Sequence, residues 1–163
     1  MTRLTMLLLA AACSCGGVGE QGDRPLDDLD AEIYARDVHP ILESRCATLD
    51  CHGVGERPLR LYAETGLRMR DDLRDLPIEP DELIANLRAV AALEPGVAPP
   101  DSLFIRKPLV GGVAHEGGDL WASRDEPQLV CALAWLEGTS DEPAAAEACA
   151  IAAEQVALPP PTP

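Results

Sequence analysis

The stretch Tyr34-Ala-Arg-Asp-Val38-His-Pro40-Ile-Leu-Glu-Ser-Arg-Cys46-Ala-Thr-Leu-Asp-Cys51-His52-Gly53 carries most of what the chain says about its fold. Tyr34, Val38, Ile41, Leu42 and Arg45 fall on one stripe of an amphipathic helix. Proline is tolerated in the first turn of a helix, where its missing N–H costs nothing, so Pro40 places the helix start near Asp37 or His39. The helix runs into Cys46. A second thiol follows after four intervening residues, and His52 comes directly after it.

Working outward, Asp81 to Leu93 reads as a helix, with Asp81 and Glu82 in its first turn and Leu83, Ile84, Leu87, Val90 and Ala91 on one face. Pro95-Gly96 stops it. Asp101-Ser102 caps a short Leu103-Phe104-Ile105 helix that ends at Pro108. Ser123-Arg-Asp-Glu126 has the form of a capping box and opens a helix closing at Gly138, with Leu129, Val130, Leu133 and Leu136 inward. An alanine-rich helix spans about Pro143 to Ala157. Pro58 to Tyr62 looks extended, and Ala63 to Leu73 holds at most a helical turn or two. The expectation is an all-α domain with long loops and no internal repeat.

Composition narrows the function. The 163 residues carry 13 Lys+Arg against 28 Asp+Glu, a formal charge of −15. Nucleic-acid binding needs a basic face, so no nucleic-acid partner is expected. An anionic lipid surface is equally unfavourable as an electrostatic dock. No nucleophile elbow, phosphate loop or paired-histidine metal motif occurs.

At the N-terminus Arg3, then Leu7-Leu8-Leu9 and Ala10-Ala11-Ala12 before Cys13, resemble a bacterial lipoprotein signal. That resemblance implies cleavage after residue 12 and lipidation of Cys13, with Cys15 as a second choice. An ordinary secretory signal is the alternative. The domain plan is a signal peptide over 1–12, a disordered tether over 13–30, a folded domain over 31–138, a C-terminal helix over 139–157 and a disordered tail over 158–163. Such a chain would sit outside the cytoplasm, lipid-anchored in the periplasm or at the outer membrane, where disulfides persist. Cys131 and Cys149, on two helices joined by a short turn, are expected to form one.

Two thiols followed at once by a histidine suit covalent haem. The sulfurs add to the two vinyl groups and the imidazole ligates the iron from the same side. The spacing here is C-x4-C-H rather than the commoner C-x-x-C-H, so two extra residues must loop outward. With 6 Cys and 3 His in the chain, such triplets arise by chance only about 0.01 times. A Cys46–Cys51 disulfide with a merely polar His52 is the alternative, and a zinc site a more distant one.

The same stretch resembles the start of extracytoplasmic cytochrome c-like domains of the planctomycete type. The shared features are an aromatic residue at Tyr34, Val38-x-Pro-Ile-Leu42 and the Cys46…Cys51-His52 triplet. Asp101-Ser-Leu-Phe-Ile-Arg-Lys-Pro108, the glycine-flanked His115 and Leu133-Ala-Trp135-Leu-Glu-Gly138 are similar too, so the resemblance covers about residues 33–138. It implies a cytochrome c fold, with one haem c on Cys46 and Cys51, His52 as proximal iron ligand and a distal ligand on a loop before the last helix. His115 fits that loop. Met69 is an alternative, an open position another, and His39 reads as an exposed or capping residue.

The implied function is a membrane-tethered carrier of single electrons rather than an enzyme, served by a redox partner with a basic surface. A cofactor-free, disulfide-stapled surface lipoprotein that binds another protein is the competing expectation. A haem sensor or small peroxidase, with Glu116 as distal acid–base group, is a third.

Overall fold

The computed structural model describes residues 29–157. The expected signal peptide, the expected tether up to residue 28 and the expected tail at 158–163 lie outside the described residues. Within them the fold is all-α: helices and irregular loops, with two isolated backbone pairings, Tyr62 with Leu67 and Leu109 with Trp121. None of these helices is long and apolar enough to cross a membrane.

The first helix, α1, starts earlier than the sequence suggests. It runs through Ala31–Ile33, a π-helical stretch Tyr34–Val38 and an α-helical stretch His39–Arg45. Asp30 caps it, its carboxylate accepting from the N–H groups of Glu32 and Ile33 at 2.8 and 2.9 Å. Pro40 does sit in a first turn, but it is the first turn of the second α-helical stretch. The π turn, in which the His39 N–H donates to the Tyr34 carbonyl, resets the hydrogen-bond ladder so that the proline can follow without ending the helix. Widening the turn also brings His39 onto the inner face beside Val38. His39 is therefore buried, 3% exposed, and neither exposed nor a cap. Burial holds its pKa below the ordinary 6.5, against the opposing pull of Glu43 and Glu82.

Helix α2 is Pro80–Ala91, α3 is Leu103–Arg106, α4 is Pro127–Glu137 and α5 is Pro143–Ala157. Helices α1, α4 and α5 pack together, and α4 lies along α5. Tyr34, Val38, Ile41 and Leu42 from α1 meet Leu129, Ala132 and Trp135 from α4 and Ala152 from α5 in one core. The Tyr34 and Trp135 rings lie 5.0 Å apart at 45°, a tilted aromatic contact. The indole N–H of Trp135 donates to the Asp30 carbonyl at 2.9 Å, which ties the start of α1 to the end of α4. A disulfide joins Cys131 of α4 to Cys149 of α5. Gly138 ends α4 at φ 72°, a left-handed cap that suits glycine.

Two helix starts differ from the sequence reading. Helix α4 begins at Pro127 with Glu126 as its cap residue, and the Ser123 hydroxyl instead accepts from the Asp125 N–H in the preceding turn. Helix α3 is capped from a distance, the Glu94 carboxylate accepting from the Leu103 N–H, while Ser102 turns back to the Pro99 carbonyl.

Helix α2 is held by polar contacts that apolar periodicity cannot reveal. Its inner face carries Glu82 and Asn86, both buried, besides Leu87 and Val90. Asn86 clamps the Tyr62 backbone, accepting from its N–H at 2.7 Å and donating to its carbonyl at 2.8 Å. Glu82 accepts from the Arg68 guanidinium at 2.7 Å and from the Met69 and Glu79 N–H groups. Arg68 also donates to the carbonyls of Leu73, Leu76 and Pro77. Burial would raise the Glu82 carboxyl, but Arg68 and the two N–H groups outweigh it and hold it below the ordinary 4.5.

Because the folded-state pKa of Glu82 is depressed, its stabilisation is present above pH 4.5 and is lost as pH falls through the lower folded value. Glu82→Gln strands the buried Arg68 charge and is expected to cost roughly 3 kcal/mol in urea unfolding at pH 7. The variant should also lose part of the acid-limb pH dependence. An unchanged midpoint would contradict this.

Candidate functional site

Below α1 the chain closes a small loop. The N–H groups of Cys46 and Ala47 both donate to the Leu42 carbonyl at 2.8 Å, ending the helix. The His52 N–H donates to the Cys46 carbonyl at 2.8 Å, and the Cys51 and Gly53 N–H groups donate to the Thr48 carbonyl at 3.0 and 2.9 Å. Thr48, Leu49 and Asp50 are pushed out to solvent, Leu49 being 61% exposed. Cys46 and Cys51 stay half-buried on the inside of the loop. They are free thiols here, not joined to each other.

The loop is tight because Gly53 allows it. A Cβ at Gly53 would stand 2.1 Å from the Ala47 carbonyl oxygen, and one at Gly66 would stand 2.5 Å from the same atom. Ala47 is thus packed between two backbones that carry no side chain.

Cys46, Cys51 and His52 form one wall of a cavity of about 690 Å³. Leu59, Leu61, Leu93, Leu103, Phe104, Leu120 and Trp121 make it largely apolar. The volume is in the range of small-molecule and cofactor sites. His115 forms the facing wall, on the loop between α3 and α4. Trp121 is steadied there by donating to the Gln128 side chain at 3.3 Å. Neither Met69 nor His39 lines the cavity: Met69 is 43% exposed beside the Arg68–Glu82 pair, and His39 is in the helical core.

The two cavity histidines are arranged alike. His52 Nδ1 pairs with the Leu59 carbonyl at 2.9 Å, and His115 Nδ1 pairs with the Gly118 carbonyl at 2.9 Å. A carbonyl can only accept, so Nδ1 carries a proton in both rings, and in a neutral ring so held the lone pair is on Nε2. The rings are near-parallel, 13° between planes, with centroids 6.1 Å apart.

Electrostatics agree with the ligand form. Burial lowers the His52 pKa, the Leu59 carbonyl raises it, and His115, Arg57 and Lys107 lower it further, so the net shift is down and the ring is neutral at pH 7. Burial, with neighbouring Cys51, pushes the Cys46 thiol up to about 12. Among the described residues no three His, Cys, Asp or Glu side chains gather into a group that could hold a metal ion by themselves.

Sequence reading did not find Arg57 or Glu116 as partners. Arg57 Nη1 donates to Glu116 Oε2 at 3.1 Å across 59 residues, linking the segment after His52 to the residue after His115. Nothing local in the sequence signals so distant a pair. The Leu59 carbonyl was equally hidden, being backbone.

No family model matches the chain, and neither does any curated protein or solved structure.

Gly53→Ala is expected to open the Cys46–His52 loop and to cost roughly 3 kcal/mol in denaturant unfolding, since backbone cannot retreat as a side chain can. Gly55→Ala, with no atom within 4 Å of its Cβ, should stay within about 0.5 kcal/mol of the parent. Equal costs at the two positions would contradict the packing argument.

Proposed function

We propose that the protein is a monohaem c-type cytochrome that carries single electrons in the cell envelope, with Cys46 and Cys51 holding the porphyrin and His52 and His115 holding its iron. The observation that carries this is the pair of facing imidazoles, each fixed at Nδ1 by a backbone carbonyl, in an apolar cavity with both thiols on one wall. A cytochrome c-like arrangement of α1, α4 and α5 beside that cavity belongs to the same proposal. Haem, when bound, would supply a one-electron iron couple.

The chain's own part is to orient and to insulate. The Leu59 and Gly118 carbonyls fix each tautomer and raise the basicity of Nε2. The leucines, Phe104 and Trp121 exclude water from the cavity and so set its polarity. Ligation by two nitrogens leaves no position for an external substrate, which favours transfer over catalysis. It also gives a lower potential than His/Met ligation.

The chain purified from its native host should therefore keep its haem through acid–acetone extraction and give a c-type pyridine haemochrome spectrum. Cys46→Ala with Cys51→Ala should abolish the covalent attachment. A colourless native protein with a Cys46–Cys51 cystine would instead favour the cofactor-free surface module.

Lipidation at Cys13 would keep the domain beside a membrane that it need not touch. The excess of acidic residues would steer the domain toward a redox partner with a basic surface. Two acids, Asp50 and Glu116, line the cavity beside three bases, Arg45, Arg57 and Lys107. The attraction thus acts at long range more than at contact. Association with such a partner should slow as salt is added; a rate indifferent to ionic strength would remove this part of the proposal.

A further inference from the structure

The two histidine walls are separate loops. Each ring is anchored within its own wall, His52 to Leu59 and His115 to Gly118, so the 6.1 Å between rings depends on how the loops stand to each other. Among the described residues one side-chain bridge spans them, Arg57 to Glu116 at 3.1 Å. Its ends sit close to the anchoring groups. Glu116 is the next residue after His115, and Arg57 is separated from Leu59 only by the stiff Pro58. No backbone hydrogen bond runs between residues 52–61 and 113–118.

We infer that the Arg57–Glu116 ion pair is a clasp that positions His115 opposite His52, and that breaking it frees the distal ring and opens the cavity to a small neutral ligand. The inference rests on the haem reading proposed above. Both side chains are substantially exposed, 41% and 89%, so the clasp is weak and sensitive to salt. Arg57 and Glu116 act through the rings and are positioning residues. A weak clasp suits a site that holds its distal ligand in ordinary use yet can release it.

The test uses the full haem-loaded chain and carbon monoxide as probe, which binds ferrous iron only when the distal ring has left. In the parent, the binding rate should rise about two- to fivefold from low to high salt, the range expected of an exposed ion pair. Glu116→Gln should start at the raised rate and show no salt dependence. Arg57→Glu combined with Glu116→Arg should restore the slow, salt-sensitive rate, which general loosening of the loop would not do. A Glu116→Gln protein that behaves as the parent, or a charge swap that fails to restore the rate, overturns the clasp. Immediate, salt-independent binding by the parent overturns it too, because His115 would then hold no iron. Absence of covalent haem from the parent would sink the underlying reading instead, and the two failures are told apart by the absorption spectrum before any gas is added.

Discussion

Everything in the candidate site depends on the pairing of an imidazole Nδ1–H with a backbone carbonyl, made twice. That bond decides which nitrogen is protonated, which nitrogen is free, and which way the ring can face. Without it, a half-buried histidine next to two thiols is only a polar residue in an apolar place. With it, His52 and His115 are two imidazoles held in place from two walls of one cavity. The Cys46–His52 loop, the glycine at 53, and the left-handed Gly118 at φ 78° all serve to put those carbonyls and rings where they are.

The helical part of the molecule is a platform for this arrangement. Helix α1 delivers Cys46 from its last turn, and α1 is fixed by Asp30 at its start and by Trp135 and Tyr34 along its side. The disulfide between α4 and α5 draws the C-terminal helix into the same core, where Cys149 and Ala152 pack with α1. The cavity itself is walled mainly by loops, and those loops hold few regular hydrogen bonds. Polar anchors take over: Asn86 on the Tyr62 backbone, Glu82 on Arg68, and Glu94 on the start of α3. A covalently bound planar ring with apolar faces would add buried contact where the chain, with five aromatic residues, has little bulk of its own.

How much of this could be read from the sequence follows the physics of each signal. The face Tyr34, Val38, Ile41 and Leu42 was legible because helical periodicity is local, and all four are in the core. Gly138 and the span of α5 were legible for similar reasons, a left-handed terminator and a run of alanines. The start of α1 was not, because a proline usually marks a first turn and nothing local announces a π turn ahead of it. His39 went the same way, since its burial follows from that turn. Glu82 and Asn86 were missed because counting apolar positions treats a charged residue as outward. At the site, the residue types were legible from spacing: Cys46, Cys51 and His52 stand together, and His115 was singled out by its glycines. What faces what, and through which carbonyl or ion pair, depends on contacts made across tens of residues.

The central claim is that one iron lies between His52 and His115. The measurement closest to it is electron paramagnetic resonance of the ferric protein matured in its native host. If both rings held the iron with the 13° between planes that they show here, the spectrum would be rhombic and low-spin. A high-spin spectrum, or no haem signal at all, would contradict the account.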